Sequence, residues 1–146
     1  NISLHLIGGL QSNKVKIAVK LFDYIHSLDS IKLANKIAAQ EKELNKKVKL
    51  FIQVNIGNEK QKSGVDKKEL FEFYNYCKNI ELNIIGLMCI PPFDEPSEKY
   101  FREVQELNNK LKLNELSMGM SSDYINAIKN GSTQIRIGSN IFGNRN

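Results

Sequence analysis

Four residues near the carboxyl end carry groups that could together hold an anion: the hydroxyls of Ser121 and Ser139, the bare backbone of Gly138 and the cation of Arg136. They fall in two turns, Met118-Gly119-Met120-Ser121-Ser122-Asp123 and Gly138-Ser139, each placed after a short apolar run and before a segment that reads as a helix. The first N–H groups of a helix have no partner inside it and carry partial positive charge, and serine or glycine lets a phosphate oxygen come close to them. Helix capping alone explains one such serine; two turns of this kind on successive strands favour an anion site. Between the turns, Gln134-Ile135-Arg136-Ile137 alternates as a strand does, so Arg136 faces away from the side that Ile135 and Ile137 are expected to bury. An arginine turned into a protein interior needs a partner: a bound anion, a heteroaromatic nitrogen or a buried carboxylate.

Other chemistry is sparse. His5 and His26 each fall in a strand with no serine or cysteine nucleophile and orienting group beside them in sequence, and read as interior histidines. Cys77 and Cys89 stand in no CxxC or Cys/His spacing, which argues against zinc or a disulfide framework. Asp29, Asp94 and Asp123 read as turn or cap residues, and no cluster suggests a metal.

The positioning elements come next. Residues 3 to 8 read as a strand closed by Gly8-Gly9, with Ser12 capping a helix to about Leu21. Asp23 to Ser27 is a strand, and Ser30 caps a helix in which Ile31, Leu33, Ala34, Ile37, Ala38 and Leu44 keep a 3.6-residue period. Val48 to Asn55 is a strand, followed by a polar loop to Val65. Asp66 and Glu69 resemble a capping box ahead of a helix carrying Leu70, Phe71, Phe73, Tyr74 and Cys77. Leu82 to Met88 is a strand stopped by Pro91-Pro92, and Ser97 caps a helix with Tyr100, Phe101, Val104, Leu107 and Leu111 on one stripe. Leu116 to Met118, a helix from about Asp123 to Lys129 stopped by Gly131, and Thr133 to Ile137 complete the chain.

Six short apolar strands separated by helices predict an α/β protein with a parallel sheet, either doubly wound or closed as a barrel. The dinucleotide fingerprint Gly-x-Gly-x-x-Gly is broken at Gly8-Gly9-Leu10-Gln11. The unusual residues Gly8, Ser27, Asn55, Pro91, Ser121 and Gly138 all follow strands, and in a (β/α)8 barrel those loops share one face. The chain of 146 residues, 41% of them hydrophobic with three prolines, fits one domain with a real core. No run of about 18 apolar residues and no signal-peptide pattern is present, which predicts a soluble, cytoplasmic protein without a membrane partner. Net charge is +5, from 21 basic and 16 acidic residues. The only arginines are Arg102, Arg136 and Arg145, and the lysines lie among glutamates, so no nucleic-acid surface is expected.

Six motifs in order, His5-Leu6-Ile7-Gly8-Gly9-Leu10-Gln11-Ser12-Asn13-Lys14, Ile25-His26-Ser27-Leu28-Asp29-Ser30, Gln53-Val54-Asn55-Ile56-Gly57 with Lys62-Ser63-Gly64, Gly86-Leu87-Met88-Cys89-Ile90-Pro91-Pro92, Leu116 to Asp123, and Arg136 to Gly143, resemble the pyridoxal phosphate homeostasis protein family. The resemblance implies a TIM-type barrel like the N-terminal domain of alanine racemase, binding pyridoxal 5'-phosphate through a Schiff base to a first-strand lysine. It covers strands three to eight, so residues 1-146 are expected to be a single partial barrel, with that lysine lying before Asn1. By the same resemblance Ser121, Gly138 and Ser139 hold the cofactor phosphate, Arg136 faces the pyridine nitrogen and Met118 lies beside the ring. Gly9 stands where many members carry a larger residue, often histidine, and Ser139 where threonine is usual, which keeps the hydroxyl.

The implied function is a non-catalytic cofactor carrier or buffer of vitamin B6 homeostasis, monomeric at full length. The alternative is a fold-type III amino-acid racemase or decarboxylase, which would add a β domain after the barrel. A phosphate-binding isomerase or aldolase would need an acid/base pair at the strand ends.

Overall fold

The structure, a computed structural model, describes residues 1–60 and 62–143. Six strands, β1 (His5–Leu6), β2 (Tyr24–Leu28), β3 (Lys49–Gln53), β4 (Ile84–Met88), β5 (Glu115–Met120) and β6 (Gln134–Arg136), lie parallel in the order β1-β2-β3-β4-β5-β6. Helices α1 (Val15–Leu21), α2 (Ile31–Leu44), α3 (Leu70–Asn79), α4 (Glu98–Lys110) and α5 (Tyr124–Lys129) make the crossovers, and the one-turn α6 (Ser139–Phe142) follows β6.

Two observations decide between the open sheet and the barrel. A doubly wound sheet reverses its strand order at a switch point, and this sheet has no reversal. Neighbouring strands lie about 4.8 Å apart, so β2 and β5, three places apart, would stand roughly 14 Å from each other in a flat sheet. Yet His26 Nδ1 on β2 is 2.7 Å from Ser117 Oγ on β5. The sheet therefore curls into a half-barrel, and these two side chains point into its interior.

The outer layer is apolar. Ile25, Leu50, Ile52, Leu87, Leu116 and Met118 pack with the buried stripes of the helices, including Leu33, Ala34 and Ile37 of α2 and Phe101 and Val104 of α4. Ser30 caps α2, its hydroxyl accepting from the Leu33 N–H at 3.2 Å, and Asn45 ends it in the left-handed conformation at φ 47°. The other expected caps differ. Ser12 lies inside a 3-10 turn (Ser12–Lys14), Ser97 makes no side-chain cap bond, and Asp66 accepts from Lys68 N–H in a turn before α3. On α3 Leu70, Phe73 and Cys77 are buried while Phe71 is exposed, because a single helix face meets the sheet. Asn108, outside the expected apolar stripe, is buried on α4, accepting from Leu87 N–H at 3.1 Å and donating to the Leu113 carbonyl at 2.9 Å. No helix among the described residues is long and apolar enough to cross a membrane.

Candidate ligand cavity at the strand ends

The β5α5 turn is closed on itself: Met120 N–H donates to Asp123 Oδ1 at 2.8 Å and Asp123 N–H returns to the Met120 carbonyl at 3.0 Å, which holds Ser121 and Ser122 at its tip. Asp123, expected as a turn or cap residue, serves the turn: its carboxylate makes no side-chain cap bond to α5. Two glycines serve this region in opposite ways. Gly119 has φ +98°, and a Cβ there would stand 2.6 Å from the Ala127 Cβ, so the chain's own packing demands glycine. A Cβ on Gly138 would meet nothing within 4 Å, and its φ is −125°. The fold itself places no demand for glycine at 138, which leaves open space beside the turn for a group from outside.

A cavity of about 1010 Å³ opens at the carboxyl ends of the strands, bringing Ser121, Gly138, Ser139 and Arg136 together with His5 and His26. Arg136 is held by two bonds: one Nη donates to Ser117 Oγ at 2.7 Å, the other to the Cys89 carbonyl at 2.9 Å. Among the described residues no carboxylate forms an ion pair with it. A guanidinium has five N–H donors, so two bonds to neutral acceptors leave both charge and donors for a ligand. Burial pulls Arg136 below its usual range, while Cys89 and Asp123 act in the opposite sense.

The histidines are part of the same structure. His26 Nε2 lies 3.0 Å from His5 Nδ1, and its ring stacks on Phe51 at 4.4 Å between centroids. His5 stacks on Tyr24 at 4.0 Å. Burial, then the neighbouring His5 and Arg136, push His26 down to about 4. His5 is lowered as well, by burial first, with Asp23 opposing and Lys49 assisting. Cys89, fully buried, is pushed up to about 12 by burial, so its thiol stays protonated; its contribution is the carbonyl.

With this geometry in view, relatives are informative. The family profile described as alanine racemase, N-terminal domain, matches residues 2–146. The chain belongs to that family. It is 39% identical to the pyridoxal phosphate homeostasis protein of Haemophilus influenzae over 157 residues, covering 100% of this chain and 66% of the relative. It is 39% identical to the protein of the same name from Aquifex aeolicus, covering 99% and 68%. Among solved structures it is similar to PipY of Synechococcus elongatus with PLP bound, at 35% identity and TM-score 0.90 over 97% of this chain and 71% of that one. The chain thus spans about two thirds of the length of these curated relatives. Likeness to Clostridium difficile alanine racemase, at 15% identity and TM-score 0.74, shows the fold alone.

Of the five expected site residues, Ser121, Arg136, Gly138 and Ser139 line the cavity. Met118 does not line it. Its side chain is fully buried in the sheet–helix layer with Leu116 and Ala127, because Ser117, the preceding residue on β5, takes the inward position. Met120 lines the cavity in its place. Ile135 also departs from expectation: it is 39% exposed, since β6 is paired only by β5 in this sheet. Residue types and spacing missed the link between the two histidines, Ser117 and Arg136. Its one sequence signal was the run of polar residues at inward strand positions, His5, His26 and Ser117.

Proposed function

We propose that this chain forms a partial (β/α)8 barrel domain that binds pyridoxal 5'-phosphate and serves as a non-catalytic carrier or buffer of the cofactor. The observation that carries this reading is Arg136. It is a half-buried cation at the strand ends, with no carboxylate partner among the described residues, and it lines a cavity together with the Ser121 and Gly138-Ser139 turns. The names of the relatives and the PLP in the similar PipY structure support it.

Phosphate would be held by the hydroxyls of Ser121 and Ser139 and by backbone N–H groups beside Gly138. With one turn, α6 contributes local amides rather than a macrodipole. Met120 would supply an apolar wall. Pyridoxal phosphate is a weaker electron sink when its pyridine nitrogen is unprotonated, and Arg136 can donate a hydrogen bond to that nitrogen but has no proton to give away at neutral pH. Carbanion chemistry is thereby disfavoured, which supports storage over racemase or decarboxylase turnover.

Isothermal titration calorimetry with pyridoxal 5'-phosphate is the test. Saturable binding at one site, weakened roughly tenfold or more by Arg136→Ala, is expected. Absent binding, or binding indifferent to that substitution, removes the reading.

A further inference from the structure

We propose that Ser117 and His26 are positioning residues for Arg136, joined with His5 in a hydrogen-bond chain of fixed direction that keeps the guanidinium aimed at the cavity. The chain runs from Arg136 through Ser117 Oγ at 2.7 Å and His26 Nδ1 at 2.7 Å to His26 Nε2 and His5 Nδ1 at 3.0 Å. Its direction follows from donor chemistry. A guanidinium only donates, so Ser117 must accept from it, and the serine hydrogen is then free to be given to His26. His26 Nδ1 accepts that hydrogen and carries none. Its proton therefore sits on Nε2, from which it is donated to His5 Nδ1, and the His5 proton sits on its Nε2. Both imidazoles are neutral and of the same tautomer.

The walls support this order. Ser117 is fully buried and His26 is 1% exposed, with Phe51 stacked on the His26 ring, so packing restrains both side chains. The charged and titratable groups facing the chain are Asp23, Lys49 and Tyr24 at His5, and Arg136 at His26. A second proton on His26 would have to go to Nδ1, where it would displace the serine hydrogen and place two cations on one hydroxyl. Burial and these neighbours oppose it, in keeping with the lowered proton affinity of His26. Ser117 is thus held as an acceptor for Arg136, and the guanidinium is fixed between it and the Cys89 carbonyl.

This proposal rests on the ligand reading only for its consequence, not for the chain itself. Nitrogen-15 NMR of the imidazoles in ligand-free protein at neutral pH is expected to show both histidines neutral with the proton on Nε2. A proton on Nδ1 of His26 would overturn the proposal. In Ser117→Ala, His26 should titrate closer to its ordinary value, and affinity for pyridoxal 5'-phosphate should fall roughly tenfold. Ser117→Thr, which keeps the hydroxyl, should restore both. If Ser117→Ala leaves the His26 titration unchanged, the chain does not exist as drawn. Should the unaltered protein bind no pyridoxal phosphate, the ligand reading alone fails, and the imidazole spectra still decide this one.

Discussion

Asn140 is tied to Ser121 by two hydrogen bonds: its backbone N–H donates to Ser121 Oγ at 3.3 Å and its side-chain amide to the Ser121 carbonyl at 3.1 Å. The β5α5 turn and the start of α6 are thereby latched, 19 residues apart in sequence. An anion between them meets donors from both turns at fixed separation, which is the condition for a low ordering cost on binding.

Ser121→Ala removes the hydroxyl but leaves the amide-to-carbonyl bond to Asn140 in place. Affinity for pyridoxal 5'-phosphate should fall roughly tenfold, while unfolding free energy changes by no more than about 0.5 kcal/mol, as is usual for a partly exposed loop residue. Calorimetric titration and urea denaturation check the two halves. Undiminished affinity would remove Ser121 from the site.

Gly138 and Gly119 should separate function from stability. Gly138→Ala places a methyl in space that the chain leaves open, so stability is expected to hold while ligand affinity drops. Gly119→Ala drives a Cβ against Ala127 at a left-handed φ, and should cost about 2 kcal/mol or more in unfolding free energy. If Gly138→Ala binds as tightly as the unaltered protein, the phosphate lies elsewhere in the cavity.

His26 sets a pH dependence whose sign is determined. Its folded value of about 4 lies below the ordinary 6.5, so above pH 6.5 it is neutral in both states and contributes nothing to the slope. Between 6.5 and about 4 the unfolded chain takes up a proton that the native protein refuses, and stability is lost as pH falls. The contribution is at most about 3 kcal/mol. His26→Asn keeps an acceptor toward Ser117 and does not titrate. Denaturation midpoints taken from pH 8 to 3 should fall less steeply across that window in the variant, and parallel curves would contradict the assignment.

Much of this architecture was legible in the chain. Strand–helix alternation predicted all six strands; of the residues expected just after them, Gly8, Ser121 and Gly138 line one cavity, whereas Ser27 lies inside β2. The half-barrel's interior was less legible, because its bonds join residues that no local spacing relates. His26 and Ser117 are 91 residues apart, and only the curl of the sheet brings β2 to β5. Arg136 was expected to need an anion, a ring nitrogen or a carboxylate, and its actual partners within the chain are a hydroxyl and a main-chain carbonyl. Met118, which the family resemblance put beside the ring, does not line the cavity. Adjacent strand residues cannot share a face, so an inward Ser117 requires an outward Met118.

The cavity's chemistry also predicts what its ligand should not do. None of the residues lining it is a lysine, and Lys14 lies at the end of the 3-10 turn ahead of α1, within a different motif. A covalent link to pyridoxal phosphate needs an unprotonated amine within bonding reach of the aldehyde. Surface lysines also pair with glutamates here, as Lys16 does with Glu43 and Lys67 with Glu103. Borohydride reduction of the chain with one equivalent of pyridoxal 5'-phosphate should therefore give only scattered, substoichiometric labelling by peptide mass spectrometry. A single lysine labelled at near-unit yield would show that an amine of this chain reaches the cavity, and would move the phosphate away from the Ser121 and Ser139 turns.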